Sequence, residues 1–300
     1  MGILLAIFSA FLWSIFDVVR KKAVENNSAL KVIFIIILSQ FFFFSCLLLI
    51  SNFQINLSAY FLLGLFLVIL NVLSLYLFLL VLKSGKISIY IPMLSFTPFF
   101  SAIYSKLILN EELVFMQYLG MFFIVLGSLT LHSSQFNSQT KLSINFNLLN
   151  NRNLFYILIV SIIWSLTPVL DKECLKYTGV YLHGFLQSFG MLLLFSLILL
   201  NSKKYKSTLM KKTHYDITLF LIIILGFLTT FIQLVVLQYV FVAELESLKR
   251  GVGIVLSLVF GHFIFKEEIN LKKIFSVIII ICGVNFIINF TKFTNLQIIM

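Results

Sequence analysis

Apolar residues fill this chain in long blocks, and short polar breaks separate them. The blocks lie near 3–19, 32–51, 59–82, 87–109, 113–132, 154–170, 179–200, 217–238, 242–265 and 271–290. A helix crossing a bilayer needs about 20 mainly apolar residues, because the hydrocarbon core is roughly 30 Å thick. The pattern therefore predicts an all-α integral membrane protein with ten transmembrane helices. The longest polar interval, from His132 to Asn153, is rich in Ser, Gln, Asn and Lys and reads as a linker. It divides the chain into a five-helix unit at 1–132, a linker at 133–153, a second five-helix unit at 154–290 and a short tail at 291–300.

The two units repeat one another. Asn110-Glu111-Glu112-Leu113, followed by a helix carrying Gly127, matches Lys266-Glu267-Glu268-Ile269, followed by a helix carrying Gly283, at an offset of 156 residues. Trp13-Ser14 and Trp164-Ser165 correspond at an offset of 151, the difference being absorbed by loops. An odd number of helices per unit forces the halves into opposite orientations. That is the inverted-repeat plan of secondary transporters, in which the substrate site lies near the midplane between halves.

Composition agrees with the bilayer as solvent, since 61% of the residues are hydrophobic and only 11% charged. A net charge of +11 would suggest nucleic acid in a soluble protein, but here the basic residues sit mostly in connectors between apolar blocks. Connectors after the odd-numbered helices hold sixteen of the 22 Lys and Arg, from Arg20, Lys21 and Lys22 through Lys272 and Lys273. The excess of positive charge predicts that these connectors are cytoplasmic and that both termini face outward. Nothing basic precedes the first apolar block, so it reads as a retained helix rather than a signal peptide. Cys46, Cys174 and Cys282 have neither disulfide-framework nor zinc-site spacing, and packing accounts for them.

This ordered set of residues resembles the drug/metabolite transporter superfamily, in its ten-helix type with two EamA domains. The resemblance rests on Trp13-Ser14, Pro98, Glu111, Gly120 and Gly127 in the first half, and on Trp164-Ser165, Glu267 and Gly283 in the second. The second half departs from the pattern at Ile254, where Pro is expected, and at Ser276, where a second glycine is expected. Members of that family more often keep their termini in the cytoplasm, against the charge count. The resemblance implies proton-linked or exchange transport of amino acids, nucleotide derivatives, sugars or amphipathic compounds without ATP hydrolysis, and the residues themselves suggest neither metal nor cofactor. It leaves open whether the protein acts as a monomer or a homodimer.

Ionisable residues inside a bilayer are costly and normally face an interior cavity. The densest group is Glu244, Glu246, Lys249 and Arg250, with Glu246 and Arg250 spaced i,i+4 on one helical face. At about 1.5 Å per residue, Arg250 lies roughly 12 Å along its helix. Two readings stand: a fork in which Arg250 and Lys249 hold a carboxylate or phosphate while a glutamate meets an ammonium or a proton, or an interfacial loop whose charges pair with one another. Asp17 either protrudes into the cavity or pairs with Arg20 at a helix end. Tyr90 either walls the site or belongs to the interfacial aromatic belt. Trp13 and Trp164 lie mid-helix and line the pathway or pack between halves. Asn71, Gln233 and Gln238 are amides within apolar helices, placed for interhelical hydrogen bonds, with Gln233 also a candidate for the site. Asp171-Lys172-Glu173 reads as a solvated loop, Asn110 as a helix cap, and Pro98 as a kink.

No HExxH, GxSxG, nucleotide-binding or metal-spaced motif is present, and the four His are scattered. An enzyme or a primary pump is disfavoured. The mixed-sign cluster favours a carrier of anionic or zwitterionic metabolites over a multidrug exporter.

Overall fold

A computed structural model describes residues 1–51, 55–84, 94–136, 152–200, 217–265 and 269–299. Among these the secondary structure is entirely helical: α1 (Gly2–Asn26), α2 (Ala29–Leu49), α3 (Leu57–Ser84), a 3-10 turn (Leu94–Phe96), α4 (Thr97–Leu109) and α5 (Phe115–Phe136) form the first half. The second half opens with one continuous stretch, Arg152–Leu200, broken at Gly179 into two helices that we label α6 (152–178) and α7 (180–200). It continues with α8 (Ile217–Val236), α9 (Val242–Phe265) and α10 (Leu271–Ile299).

Local chemistry sets several boundaries. Ser28 caps α2 by accepting a bond from the Lys31 N–H. Pro98 sits in the first turn of α4, where its missing N–H costs nothing, so it starts a helix after the 3-10 turn instead of kinking one. Asn110 ends α4 in the left-handed conformation, with φ 56°, and is thus a C-cap and not the expected N-cap. Gly179 has φ 71° and ψ 175°, a backbone region reserved for glycine, which lets α6 turn into α7.

The expected end of α6 near residue 170 is corrected, because the helix runs about two turns further. Asp171, Lys172 and Glu173 look like a polar break, yet Asp171 and Lys172 meet His183 and Glu111 within the fold, and Glu173 pairs with Lys176 at the surface one turn further along the same helix. Arg20 is likewise no connector residue but lies within α1 at 2% exposure.

The outer surface is apolar. Leu62, Phe115 and Phe263 are 74%, 71% and 77% exposed, on three different helices. Among the described residues six helices, with Arg152–Leu200 counted as one, are long and apolar enough to cross a bilayer. Lipid suits such a surface and water does not. The chain is a multi-pass membrane protein with its polar side chains turned inward.

The halves meet most closely where α5 packs against α10. Cβ atoms added to Gly120 and Gly283 would lie 2.7 and 2.6 Å from each other's carbonyl oxygens, and one on Gly127 would lie 2.8 Å from the Ser276 carbonyl. Small residues here let the two backbones touch. The register is antiparallel, and positions related by the 156-residue offset exchange contacts: Gly120 meets Gly283, and Gly127 meets Ser276. Two amide bonds trade in the same way. Gln40 of α2 donates to the Gly226 carbonyl of α8 at 3.0 Å, and Gln187 of α7 donates to the Gly64 carbonyl of α3 at 3.2 Å.

Candidate functional site

Between the halves lies a cavity of about 1210 Å³, mouth included, lined by α1, α2 and α3 from one half and α6 to α9 from the other. Both indoles sit on it. Trp164 donates from Nε1 to Ser74 Oγ at 3.1 Å and packs against Phe78 with ring centroids 4.6 Å apart. Trp13 Nε1 is buried without a hydrogen-bond partner. The repeat-related pair thus differs in one respect, a free donor in the first half.

Three cations converge on these rings. Arg20 is buried, pairs with Asp17 through one guanidinium nitrogen, and leaves its Nε without a partner. Its guanidinium carbon lies 4.4 Å from the Phe16 ring, 4.7 Å from Phe78, 5.5 Å from Trp13 and 5.9 Å from Trp164. Lys249 lies 4.9 Å from the Trp13 ring and Arg250 lies 5.6 Å from the Trp164 ring. Ring faces within about 6 Å attract a cation and partly replace the water it has lost.

Glu246, fully buried, holds two of these cations. Its Oε1 accepts from Lys249 Nζ at 2.6 Å and its Oε2 from Arg250 Nη2 at 3.3 Å. Lys249 also donates to Gln233 Oε1 at 2.8 Å, and Arg250 donates from Nε to Thr97 Oγ1 at 2.8 Å. Thr97 belongs to the first half, so the hydrogen bonds of Arg250 reach across the interface. The whole group lies inside α9 and is buried, which removes the interfacial-loop reading. One carboxylate against two cations makes the α9 side of the cavity locally positive, with Asp17 and Asp171 on other walls.

The structure brings together Trp13, Asp17, Trp164, Gln233, Lys249 and Arg250 on one cavity, with Glu246 behind the last two. Asp17 satisfies both of its expected descriptions, since it pairs with Arg20 and lines the cavity. Glu244 stands apart. Two residues from Glu246 it points away, accepting from Gln117 Nε2 at 2.5 Å and from the Phe241 N–H at 3.1 Å, and it secures the first turn of α9. Tyr90 and the Glu267-Glu268 pair fall outside the described residues.

Sequence reasoning missed several polar members of the cavity, Gln40 among them. Arg20 was counted among connector charges, and Asp171, His183 and Gln187 lie where α6 and α7 face α3. Asp171 Oδ1 is 3.1 Å from His183 Nε2, and His183 Nδ1 is 3.1 Å from the Tyr60 hydroxyl. A signal existed for the amides. Gly64 and Asn71 in α3 are spaced like Gly226 and Gln233 in α8, and all four fall at corresponding places in the repeat.

At one end, Glu111 ties the halves together. Its Oε1 accepts from Lys172 Nζ at 2.7 Å and its Oε2 from the Val242 N–H at 2.9 Å, so a first-half carboxylate caps a second-half helix.

Comparison with known proteins yields one family. The EamA-like transporter family matches residues 1–132 and again residues 151–289. No curated protein matches the chain at a level that implies common descent. A solved crystal structure, described only as that of a protein, superposes with a TM-score of 0.71 at 12% identity, covering 96% of this chain and 98% of that one. The likeness shows a shared fold.

Proposed function

The chain belongs to the EamA-like transporter family, and on that premise we propose that it is a secondary active transporter. It moves a small anionic or zwitterionic metabolite, of the amino-acid or nucleotide-derivative class, across the inner membrane by alternating access. Two five-helix repeats of inverted topology rock about the cavity, as the reciprocal contacts at the α5–α10 seam and the paired Gln40 and Gln187 bonds support. Both termini face outward, in keeping with the positive connectors.

The observation carrying the substrate class is the cationic wall. Arg20, Lys249 and Arg250 are desolvated around two indoles, with guanidinium and ammonium donors suited to a carboxylate or phosphate. Thermal stability of the purified protein is the test, measured with amino acids, nucleotides, sugar phosphates and cationic dyes, for wild type and Arg250→Gln. Stabilisation by anions or zwitterions in wild type alone supports the reading. Export of amphipathic cations is the second reading, favoured by the apolar lining of Phe16, Phe44 and Met191. Equal stabilisation of both proteins by dyes alone selects it.

A further inference from the structure

The anion reading leaves one part of the cavity unused. His183 is fully buried on α7, bonded through Nε2 to Asp171 of α6 and through Nδ1 to Tyr60 of α3. Among the described residues, Cys174 and Tyr177 of α6 belong to the same cluster as Tyr60, Tyr177 donates to Glu173, and α2 presents the Phe44 ring against Gly184. Both protonation states of the imidazole fit this setting. Neutral, it donates from Nε2 to Asp171 and accepts the Tyr60 hydrogen at Nδ1. Protonated, it donates from both nitrogens, the Tyr60 oxygen accepts, and the hydroxyl hydrogen swings away. No buried donor or acceptor on the ring is stranded by the change.

The balance of charge gives this proton a role. Among the described residues lining the cavity or paired into it, Arg20, Lys249 and Arg250 face the carboxylates Asp17, Glu246 and Asp171. With His183 neutral the ionised groups cancel, and with His183 protonated one positive charge is left over. A buried unmatched charge is expensive. The protonated cavity therefore favours a monovalent anion, and the anion favours the protonated cavity, each by the same factor. Empty and doubly loaded forms are neutral, whereas either singly loaded form is not, so only the first two cross the conformational change cheaply.

We infer that His183, held between Asp171 and Tyr60, is a proton-binding site that couples one proton to each monovalent anion carried, making transport an electroneutral symport. The inference rests on the carrier reading above.

The test uses the full chain in proteoliposomes loaded with a pH-sensitive dye, given inward gradients of L-glutamate, L-lactate and benzoate in turn. The expected result is acidification of the lumen by one proton per anion, at a rate indifferent to a potassium-valinomycin voltage clamp. In His183→Gln the anion-loaded cavity keeps an unmatched negative charge, so acidification is lost and exchange of labelled anion at equal concentrations is lost with it. Asp171→Asn leaves one positive charge in the cavity with the imidazole neutral, so its anion-loaded form is neutral without the proton; exchange of labelled anion at equal concentrations persists while proton-linked net uptake is lost, which decides the matter should His183→Gln fail to fold. In wild type, anion entry without protons or electrogenic entry overturns the symport and leaves the carrier standing, as does acidification that survives His183→Gln. If wild type neither imports nor exchanges any of the three anions, the monoanion carrier falls and the symport with it.

Discussion

At the α5–α10 seam the two halves of this protein are nearly interchangeable, and at the cavity they are not. Along the seam, residues related by the repeat touch one another reciprocally, Gly120 with Gly283 and Gly127 with Ser276. Around the cavity the repeat supplies the indoles Trp13 and Trp164 and the glutamines Gln40 and Gln187 from both sides. The charge, however, is divided. Arg20 and Asp17 come from α1, while Glu246, Lys249, Arg250, Asp171 and His183 all come from the second half. The difference separates what two-fold geometry requires from what a ligand requires. Rocking needs matched surfaces, whereas recognition of an asymmetric molecule needs a lopsided site.

The most severe way to break the comparison is to swell the seam. Gly283→Leu places a side chain against the Gly120 carbonyl, and Gly120→Leu does the reverse. Each is expected to cost about 3 kcal/mol or more through overpacking onto backbone, read as a matched fall in melting temperature and folded yield. Unequal losses would mean the seam is not two-fold in energy. Next comes the cavity, where Arg250→Gln leaves Glu246 with Lys249 alone. Anion affinity is expected to fall roughly 100-fold, or about 2.7 kcal/mol, in ligand-dependent melting, with the unliganded melting temperature far less affected. Gly179→Ala strains a backbone that only glycine adopts freely and is expected to destabilise by about 1–3 kcal/mol, although no neighbour lies within 4 Å of the added methyl.

Smaller effects sharpen the picture. Gln40→Ala removes the bonds to Gly226 and Thr230 and Gln187→Ala those to Gly64 and Asn71, each expected to cost about 0.6 kcal/mol per bond, with the two variants equal to each other within error. Smallest of all, Lys106→Ala removes a pair with Glu112 at 3.7 Å in which both side chains are more than half exposed, and no change above about 0.5 kcal/mol is expected.

Most of the scaffold was visible in the sequence because hydropathy over a 20-residue block is a bulk property, insensitive to the identity of any one residue. The family resemblance was equally legible from Trp13, Trp164 and the Glu-then-glycine pattern, and the family match bears it out. What hydropathy misread were charges whose partners lie far away in the chain. Asp171-Lys172-Glu173 looked like a loop because nothing local announces that Glu111, 61 residues distant from Lys172, waits for it. Arg20 looked like a connector charge because Lys21 and Lys22 follow it, and Phe78 and Trp164, which with Asp17, Trp13 and Phe16 offset its cost, lie far off in the chain. Glu244 and Glu246 were indistinguishable by composition. Two residues on a helix point to nearly opposite sides, and only packing decides which side is the cavity.

The chain contains only two tryptophans, and both stand on the cavity with a cation close to the ring. Its tryptophan emission, excited selectively at the red edge of the absorption band, therefore originates wholly at the place where a solute would sit. Nearby positive charge and exclusion of water both move indole fluorescence, so filling the cavity changes the colour or yield of the protein's own light. Trp13→Phe and Trp164→Phe would split that signal into two single-site reporters, one for each half, with no dye attached.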